Sequence, residues 1–399
     1  MNYLHFLGNI NFYLLMNFLD ENIITFGCRL NACESDFIKD FALELGIVDF
    51  KLINTCAVTV EAERKLVQTI RRLYNENPDV KIILTGCASE LNPDRYIKMN
   101  GVVGIISNKT KLSKTEYLKY ATNKSVSNIS GHKKVRGFLQ IQNGCDYKCT
   151  YCVVRLTRGS NVSFHEEEIA NQAQFLLEKG YKEIVLTGVN ISSYGRDMNS
   201  KRNLAFLLQY LLKNVPKLTR LRLSSLDPAD IDDDLMEVIA SEERLLPHIH
   251  ESIQSGDDMI LRRMARRHSR EQLIEINKKI LSLRPDVVFG ADIIVGFPTE
   301  TEEMFLNTQK LLAEAKISFM HIFQFSPRPG TPAFFMPKIE KKIVQNRAKE
   351  LKKLANEFLF KKLSEHVGKN VIILAEDQMN AKTNSFLPVK SLDTLATGR

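Results

Sequence analysis

Short apolar segments alternate with longer segments of helical periodicity along most of this chain, and this alternation constrains the fold more than any other feature. The first series contains four apolar runs, NIITFG (22–27), FKLINT (50–55), VKIILTG (80–86) and VVGIIS (102–107). Strands that alternate with helices form parallel sheets with helices on both faces. We therefore expect residues 22–107 to form an α/β domain with a Rossmann-like parallel sheet, after an extension of residues 1–21.

The alternation resumes at Val135 and continues through about six strand–helix units, from VRGFLQIQ to ISFMHIFQFS. A closed (β/α)8 barrel needs eight such units, so six predict an open, partial barrel over residues 135–366. Residues 108–134 are rich in Lys, Ser, Thr and Asn, which predicts a linker. Residues 367–399 predict two short strands around a polar turn, and these are too few for an independent fold.

Charge and cysteine content limit the partners and the compartment. The formal net charge of +8 favours a polyanionic partner, although many basic proteins only carry solvated lysine faces. The N-terminal run MNYLHFLGNINFYLLM lacks the basic region of a signal peptide and is too short to span a bilayer, so we expect no membrane partner. The seven cysteines are clustered, which indicates metal or redox chemistry in a cytoplasmic protein.

Three of these cysteines, Cys145, Cys149 and Cys152, lie on a predicted loop directly after the strand FLQIQN; we call them the loop cysteines. A structural zinc site has four protein ligands, and a [4Fe-4S] cluster normally takes four cysteines. Three thiolates would leave one iron free for a ligand that is not protein. We favour such an open cluster over a structural zinc site whose fourth ligand comes from elsewhere.

Three further cysteines, Cys28, Cys56 and Cys87, each follow a predicted strand of the first series; we call them the strand-end cysteines. The carboxyl ends of strands in a parallel α/β sheet converge on one crevice, where ligands bind. The three thiols should therefore meet in space. The alternative is that they are buried cysteines that pack as small hydrophobic residues. Cys33, on the first helix, fits neither group and is expected to be a core or free cysteine.

At NGCDYKCTYC the chain resembles the radical S-adenosylmethionine (SAM) enzymes, whose signature combines this cysteine spacing with an aromatic residue before the last cysteine, here Tyr151. TFGCRLNACESD (25–36), NTCAVT (54–59) and TGCAS (85–89) are similar to the three other cysteine motifs of the methylthiotransferase family. The resemblance covers nearly all of residues 22–399. It implies that the partial barrel is a radical SAM barrel.

The family resemblance also implies two [4Fe-4S] clusters and SAM as cofactors. The loop cysteines would hold the cluster whose open iron is chelated by SAM, and one electron from this cluster would cleave SAM to a deoxyadenosyl radical. The strand-end cysteines would hold an auxiliary cluster that carries the sulfur. One SAM would methylate that sulfur, and a second would yield the radical that abstracts hydrogen from the substrate, so no catalytic side chain is expected.

Family members differ in their substrates, and NTCAVTVEAERK is most similar to the MtaB type, which acts on threonylcarbamoyladenosine in tRNA. We therefore predict methylthio insertion at C2 of N6-threonylcarbamoyladenosine 37, beside the anticodon. The MiaB type, which acts on isopentenyladenosine in tRNA, and the RimO type, which acts on a ribosomal-protein aspartate, remain alternatives. The implied partners are tRNA and an electron donor such as flavodoxin or ferredoxin.

SAM contacts are expected at the ends of the barrel strands, where the family resemblance and the fold both place ligands. The candidates are Gly188 and Asn190 in LTGVN, Ser224 in RLSSLDP, Gln254 in HIHESIQSGDD, and Gly296 in DIIVGFP. The alternatives are ordinary strand-to-loop glycines and a helix-capping serine.

Two other segments bear on RNA binding. RRMARRHSR (262–270) carries five arginines, which either contact tRNA phosphates or form a solvated helix face. The resemblance also places a small RNA-binding β-barrel, the TRAM domain, from about Val367 onward, and only some thirty residues follow, so we expect a truncated TRAM-like segment over residues 367–399. Glu251 stands where the family usually has an apolar residue.

Overall fold

The computed structural model describes residues 22–45, 47, 50–120, 135–198 and 202–398. They divide into two units: the described residues up to Tyr120 together with Val153–Gly159, and the described residues of the ranges 132–152 and 160–399. The predicted extension, residues 1–21, lies outside the described residues. Among the helices of the described ranges, none is both long and apolar enough to cross a membrane.

A parallel sheet forms the centre of the first unit. Its strands, within the described ranges, are Ile23–Thr25 (β1), Lys51–Thr55 (β2), Ile82–Gly86 (β3) and Val102–Ile106 (β4), hydrogen-bonded in this order. Its helices are Arg29–Glu44 (α1), Val60–Glu76 (α2), Cys87–Leu91 (α3), Pro93–Ile97 (α4) and Val154–Arg158 (α5), with a 3-10 helix at Lys114–Tyr120. Because all strands run in the same direction, their carboxyl ends share one edge.

Apolar cores cover both faces of this sheet. Ile53 of β2 belongs to a cluster with Leu66 and Ile70 of α2. The preceding residue, Leu52, belongs to a second cluster with Ile38 of α1. Successive side chains of a strand point to opposite faces, so the helices flank the sheet on both sides. This confirms the predicted parallel α/β arrangement.

Two segments differ from their predicted environment. Residues 108–120 fall in the predicted linker, yet Lys111 and Tyr117 are fully buried, and the Tyr117 hydroxyl donates to the Lys111 carbonyl at 2.7 Å. The polar composition of residues 108–120 predicts a linker, because the sequence alone does not show that a lysine such as Lys111 pairs with a buried carboxylate. Residues 121–134, the rest of that linker, lie outside the described part of the chain.

Val153–Gly159, predicted to belong to the barrel, is part of the first unit. The predicted domain boundaries as a whole stay a prediction.

The second unit contains six parallel barrel strands within the described ranges. They are Arg136–Gln140 (β5), Glu183–Thr187 (β8), Leu221–Leu223 (β9), His248–Gln254 (β10), Val288–Val295 (β11) and Ile317–Gln324 (β12), while Gln142–Asn143 (β6) and Val162–Ser163 (β7) form a small antiparallel pair. The strands pair as β5-β8-β9 and as β10-β11-β12, and a parallel bridge between Leu226 and Glu251 links the two sets. This confirms the partial barrel.

Helices alternate with the barrel strands and cover their outer side. They are Glu166–Glu178 (α6), Leu204–Asn214 (α7), Asp233–Ser241 (α8), Asp258–Arg263 (α9), Arg270–Leu283 (α10) and Glu302–Glu314 (α11), with 3-10 helices at Ile191–Ser193, Pro228–Asp230 and Pro332–Phe335. One apolar cluster joins the strands to these helices, for example Leu186 of β8 with Leu208 of α7. Polar caps begin several helices; the Ser269 side chain accepts from the Gln272 amide and starts α10 with a capping box.

The C-terminal segment follows the long helix Lys341–Ser364 (α12) and forms an antiparallel sheet of three strands, one more than predicted. These strands are Ile373–Ala375 (β13), Asn380–Thr383 (β14) and Pro388–Lys390 (β15). The ring of Phe386, between β14 and β15, lies 5.0 Å from the ring of His248 and 4.8 Å from the guanidinium of Arg222. Both residues stand near the amino ends of barrel strands, so the C-terminal sheet covers that end of the barrel.

A buried carboxylate, that of Glu183, binds three arginines under this sheet. Its oxygens lie 2.7 Å from Nε of Arg222, 2.7 Å from Nε of Arg136 and 2.9 Å from Nη2 of Arg220. Burial alone would raise the pKa of Glu183, but the hydrogen bond from Arg222 and the charges of the three arginines outweigh it and lower the pKa to about 2. Arg136 also pairs with Glu376 beside the C-terminal sheet. The cluster therefore ties three barrel strands to the end of the chain.

Replacing Glu183 with Gln should destabilise the second unit by about 3–5 kcal/mol at pH 7, because it leaves buried arginines without their counter-charge. Hydrogen exchange of the β8 amides measures this loss.

The lowered pKa of Glu183 stabilises the fold above pH 4.5, the ordinary pKa of a glutamate, and this stabilisation disappears as pH falls toward 2. The difference in thermal stability between wild type and E183Q should therefore shrink over that range. The exposed Glu178→Gln is the matched control, and an equal loss there would contradict the prediction.

Candidate active site

The strand-end cysteines lie along the carboxyl edge of the first unit's sheet. Cys28 and Cys56 follow β1 and β2, and Cys87 begins α3 directly after β3. A Cβ atom on Gly27, whose φ is +99°, would lie 2.7 Å from Sγ of Cys56, so glycine permits this close approach. Arg158 interacts electrostatically with Cys28 and Cys87. The three cysteines therefore share the carboxyl edge of the sheet, and we call the space at this edge the crevice. That their thiols meet around one site stays a prediction.

Backbone and side-chain amides point at these sulfurs. The Val58 amide donates to Sγ of Cys56 at 3.4 Å, and Nδ2 of Asn108 lies 4.0 Å from Sγ of Cys87. Thr59 caps α2 by accepting from the Ala62 amide at 3.1 Å, which holds the turn after Cys56. N–H donors favour sulfur in its anionic form. Asn108 lies in the predicted linker, and sequence analysis assigned it no role.

A buried ion cluster stands beside the same crevice. The two carboxylate oxygens of Glu34 accept from Arg158 at 2.7 and 2.9 Å, and Nζ of Lys111 lies 2.5 Å from the second oxygen. Nη2 of Arg158 also donates to Oδ1 of Asn31 at 2.7 Å. The charged side chains are at most 2% exposed. Two cations thus share one carboxylate, and the cluster carries an excess positive charge next to the strand-end cysteines.

The pKa shifts in this cluster follow from burial and from the pairing. Burial acts to raise the pKa of Glu34, but the charges of Arg158 and Lys111 and their hydrogen bonds lower it overall. Burial lowers the pKa of Lys111, and the charges of Glu34 and Cys87 oppose that effect. An anionic group in the crevice would therefore favour the charged form of Lys111. The sequence alone shows Glu34 only as part of the TFGCRLNACESD motif and Lys111 only as part of a predicted linker.

The loop cysteines belong to the second unit, in the long connection between β6 and β7. All three are half-buried, and the Cys152 amide donates to the Cys149 carbonyl at 3.1 Å. Burial raises the pKa of the Cys145 thiol. Nη1 of Arg266 lies 3.7 Å from Sγ of Cys149, and its Nη2 lies 3.2 Å from Asp227. A buried, paired arginine thus supplies positive charge to this loop.

The first four predicted SAM contacts lie at the carboxyl ends of β8, β9 and β10. Oε1 of Gln142 accepts from the amides of Val189 and Asn190 at 3.0 and 2.9 Å, and a Cβ atom on Gly188 would lie 2.8 Å from that oxygen. Gly188 is therefore required for the approach of Gln142. Ser224 and Gln254 are 8% and 9% exposed. These positions share the end of the barrel that carries the cysteine loop.

Gly296, the fifth predicted SAM contact, has a different local explanation. Its φ is +72°, and a Cβ atom would lie 2.5 Å from Val344 of α12. Its amide donates to Glu300 at 2.9 Å, and Glu300 also pairs with Arg347 of α12 at 2.8 Å. Packing against α12 thus accounts for the glycine, and its contact with SAM stays a prediction.

The arginine-rich segment 262–270 makes several contacts within its own unit. Four of its five arginines have partners within the unit: Arg263 donates to Thr299, Arg266 pairs with Asp227, Arg267 pairs with Asp230, and Arg270 pairs with Glu314. The guanidinium of Arg267 also stacks 3.7 Å from the ring centre of Tyr147. Arg266 and Arg267 therefore contact the cysteine loop, and the sequence does not reveal this role because their acidic partners are distant in the chain. Contact of this segment with tRNA phosphates stays a prediction.

Comparison with known proteins identifies the family. Residues 139–312 match the radical SAM superfamily, and residues 21–107 match a family described as uncharacterized protein family UPF0004. A threonylcarbamoyladenosine tRNA methylthiotransferase MtaB from Rickettsia prowazekii (strain Madrid E) is 44% identical over 398 residues, which cover 97% of this chain and 94% of the relative. This chain belongs to the radical SAM methylthiotransferase family. Its cofactors are therefore SAM and [4Fe-4S] clusters.

Two further matches place the chain within this family and this fold. A tRNA-2-methylthio-N(6)-dimethylallyladenosine synthase from Geobacillus thermodenitrificans (strain NG80-2) is 32% identical, with 91% of this chain and 74% of the relative covered. The radical SAM methyltransferase TsrM from Kitasatospora setae superposes with a TM-score of 0.54 at 13% identity, with 75% of this chain and 66% of that chain covered. The latter similarity concerns the fold alone.

Replacing Glu34 with Gln should destabilise the first unit by about 3–5 kcal/mol, because Arg158 and Lys111 would remain buried without a counter-charge. Hydrogen exchange of the β2 and β3 amides reports the change. The matched control is Glu44→Gln on the same helix, because Glu44 is 58% exposed in its pair with Lys114 and such pairs contribute about 1 kcal/mol or less. Similar losses of stability in the two variants would show that the buried ion cluster contributes no more to the stability of the first unit than an exposed ion pair does.

Proposed function

We propose that this enzyme inserts a methylthio group at C2 of N6-threonylcarbamoyladenosine 37 in tRNA. The observation that carries the proposal is the 44% identity, over 97% of this chain, to a methylthiotransferase named for that nucleoside. The relative named for the dimethylallyl nucleoside is 32% identical and is covered over less of its length. The net charge of +8 supports an RNA substrate.

The donor sets of the two cysteine groups suit the implied clusters. Each group offers three thiols, the ligand type that iron–sulfur clusters take. We infer that the strand-end cysteines hold the auxiliary [4Fe-4S] cluster and the loop cysteines hold the radical-generating one. When bound, the clusters and SAM supply the electron, the radical and the sulfur for the reaction.

The remaining residues would orient and stabilise these groups. Arg266 and the Val58 amide would donate to cysteine sulfurs, one in each unit. Arg158 and Lys111 would offset the negative charge of the auxiliary cluster, which is built from anionic thiolates. SAM would contact the five predicted positions, Gly188, Asn190, Ser224, Gln254 and Gly296.

We further propose an electron donor of the flavodoxin or ferredoxin type and a cytoplasmic site of action, where thiols stay reduced.

Deleting the gene should remove the 2-methylthio group from threonylcarbamoyladenosine in tRNA, and the wild-type gene should restore it. Mass spectrometry of tRNA nucleosides measures both, with the threonylcarbamoyl precursor expected to accumulate. Loss of the methylthio group from isopentenyladenosine instead would support the MiaB type. Unchanged tRNA together with an unmodified ribosomal-protein aspartate would support the RimO type and overturn the proposal.

Replacing the strand-end cysteines together by Ala should lower the iron content from about eight to about four atoms per chain after anaerobic reconstitution, because one of two four-iron clusters is lost. Reductive cleavage of SAM should persist, since the loop cysteines remain. Cys33→Ala is the control, because Cys33 is buried in α1 outside both groups and should leave the iron content unchanged. Loss of SAM cleavage in the triple variant would refute this division between the two groups.

A further inference from the structure

Three side chains outside the two cysteine groups converge on neighbouring strands of the barrel. Nε2 of His250 on β10 lies 3.0 Å from Oδ1 of Asp292 on β11, and Nδ1 of His321 on β12 lies 3.1 Å from the same oxygen. Within the described residues, no other group of three His, Cys, Asp or Glu side chains has all its ligand atoms within 4.8 Å of one another. None of its three members is a cysteine or a predicted SAM contact.

The cluster faces the inside of the barrel. Glu251, the residue after His250, accepts from Nδ2 of Asn277 on the covering helix α10 at 3.1 Å. Successive strand residues point to opposite faces, so His250 points away from the helices. Asp292 and His321 are direct partners in the β11–β12 register. Because β12 is the edge strand of its sheet, the His321 side chain is 59% exposed, and the cluster is open to solvent on that side.

β11, the strand between the two histidines, carries a glycine where a larger side chain would displace the His250 ring. A Cβ atom on Gly290, the β11 partner of His250, would lie 2.5 Å from Nδ1 of His250. A larger residue at position 290 would push the ring out of its place. The His250 and His321 rings lie with their centres 4.8 Å apart and their planes tilted by 36°, so both can direct a nitrogen toward a point near Asp292.

The spacing suits a single metal ion. Nitrogen and carboxylate ligands bind first-row divalent metals at about 2.0–2.2 Å, which separates neighbouring ligand atoms by about 2.8–3.6 Å in octahedral or tetrahedral geometry. The two measured N–O separations, 3.0 and 3.1 Å, agree with this range. Two imidazoles and one carboxylate form a ligand set that is typical of Fe(II) and Zn(II) sites that keep open positions.

We propose that His250, Asp292 and His321 hold a divalent transition-metal ion inside the barrel, with none of the cysteine ligands of the iron–sulfur clusters. Three protein ligands would leave coordination positions free for water or another oxygen ligand. A histidine ligand must offer a nitrogen without its proton, so any proton now shared with Asp292 is released on binding.

The test uses full-length protein with both clusters reconstituted anaerobically, stripped of loosely bound metal and equilibrated with buffered Zn2+. Wild type should bind one zinc per chain beyond its iron. His321→Ala should weaken zinc binding at least tenfold, because it removes one of three ligands, and its exposed position keeps the fold intact. His321→Glu, which restores a ligand atom, should recover part of the affinity.

Two further variants keep the result unambiguous. Asp292→Asn removes the charged ligand from the centre of the cluster and should also weaken zinc binding at least tenfold. His165→Ala removes an exposed histidine at the start of α6 and should bind zinc as wild type does. Iron content and the cluster absorption bands show that each variant retains its clusters. Absence of stoichiometric zinc in wild type, or equal zinc binding by wild type, H321A and D292N, would overturn the proposal.

Discussion

The buried carboxylate of Glu34 is the interaction on which the first unit depends. It joins a residue of the first helix to Arg158, more than a hundred residues later, and to Lys111, which the composition assigns to a linker. Each of these side chains would be costly to bury alone, and each is stable inside only because the others are present. The same pairing places positive charge beside the strand-end cysteines. One cluster therefore both stabilises the first unit and sets the electrostatic environment of these cysteines.

The second unit follows a similar rule at both ends of its barrel. At the carboxyl end, Arg266 and Arg267 are held by aspartates and stabilise the cysteine loop through Cys149 and Tyr147. At the amino end, Glu183 binds three arginines beneath the C-terminal sheet. The barrel interior is thus bounded by paired charges, which fix side chains in place without closing the lumen where ligands bind.

Much of the architecture was predictable from the sequence because it depends on local patterns. Strand–helix alternation predicted the parallel sheet and the six-strand partial barrel, and the positions of Cys28, Cys56 and Cys87 after successive strands predicted that they share an edge. The missed features depend on contacts between distant residues. Nothing near Lys111 in the sequence shows that it pairs with Glu34, and nothing near Arg266 shows that it pairs with Asp227. The convergence of His250, Asp292 and His321 required the strand register, and the third C-terminal strand is too short to have a periodicity of its own.

The C-terminal sheet also has a consequence for the order of folding during synthesis. The arginines that it covers, Arg136, Arg220 and Arg222, leave the ribosome well before Phe386, which stacks on the Arg222 guanidinium. Until Phe386 has been synthesised, the amino end of the barrel therefore keeps these guanidinium groups exposed to water. This end of the barrel is shielded from solvent only after the chain has extended past Phe386.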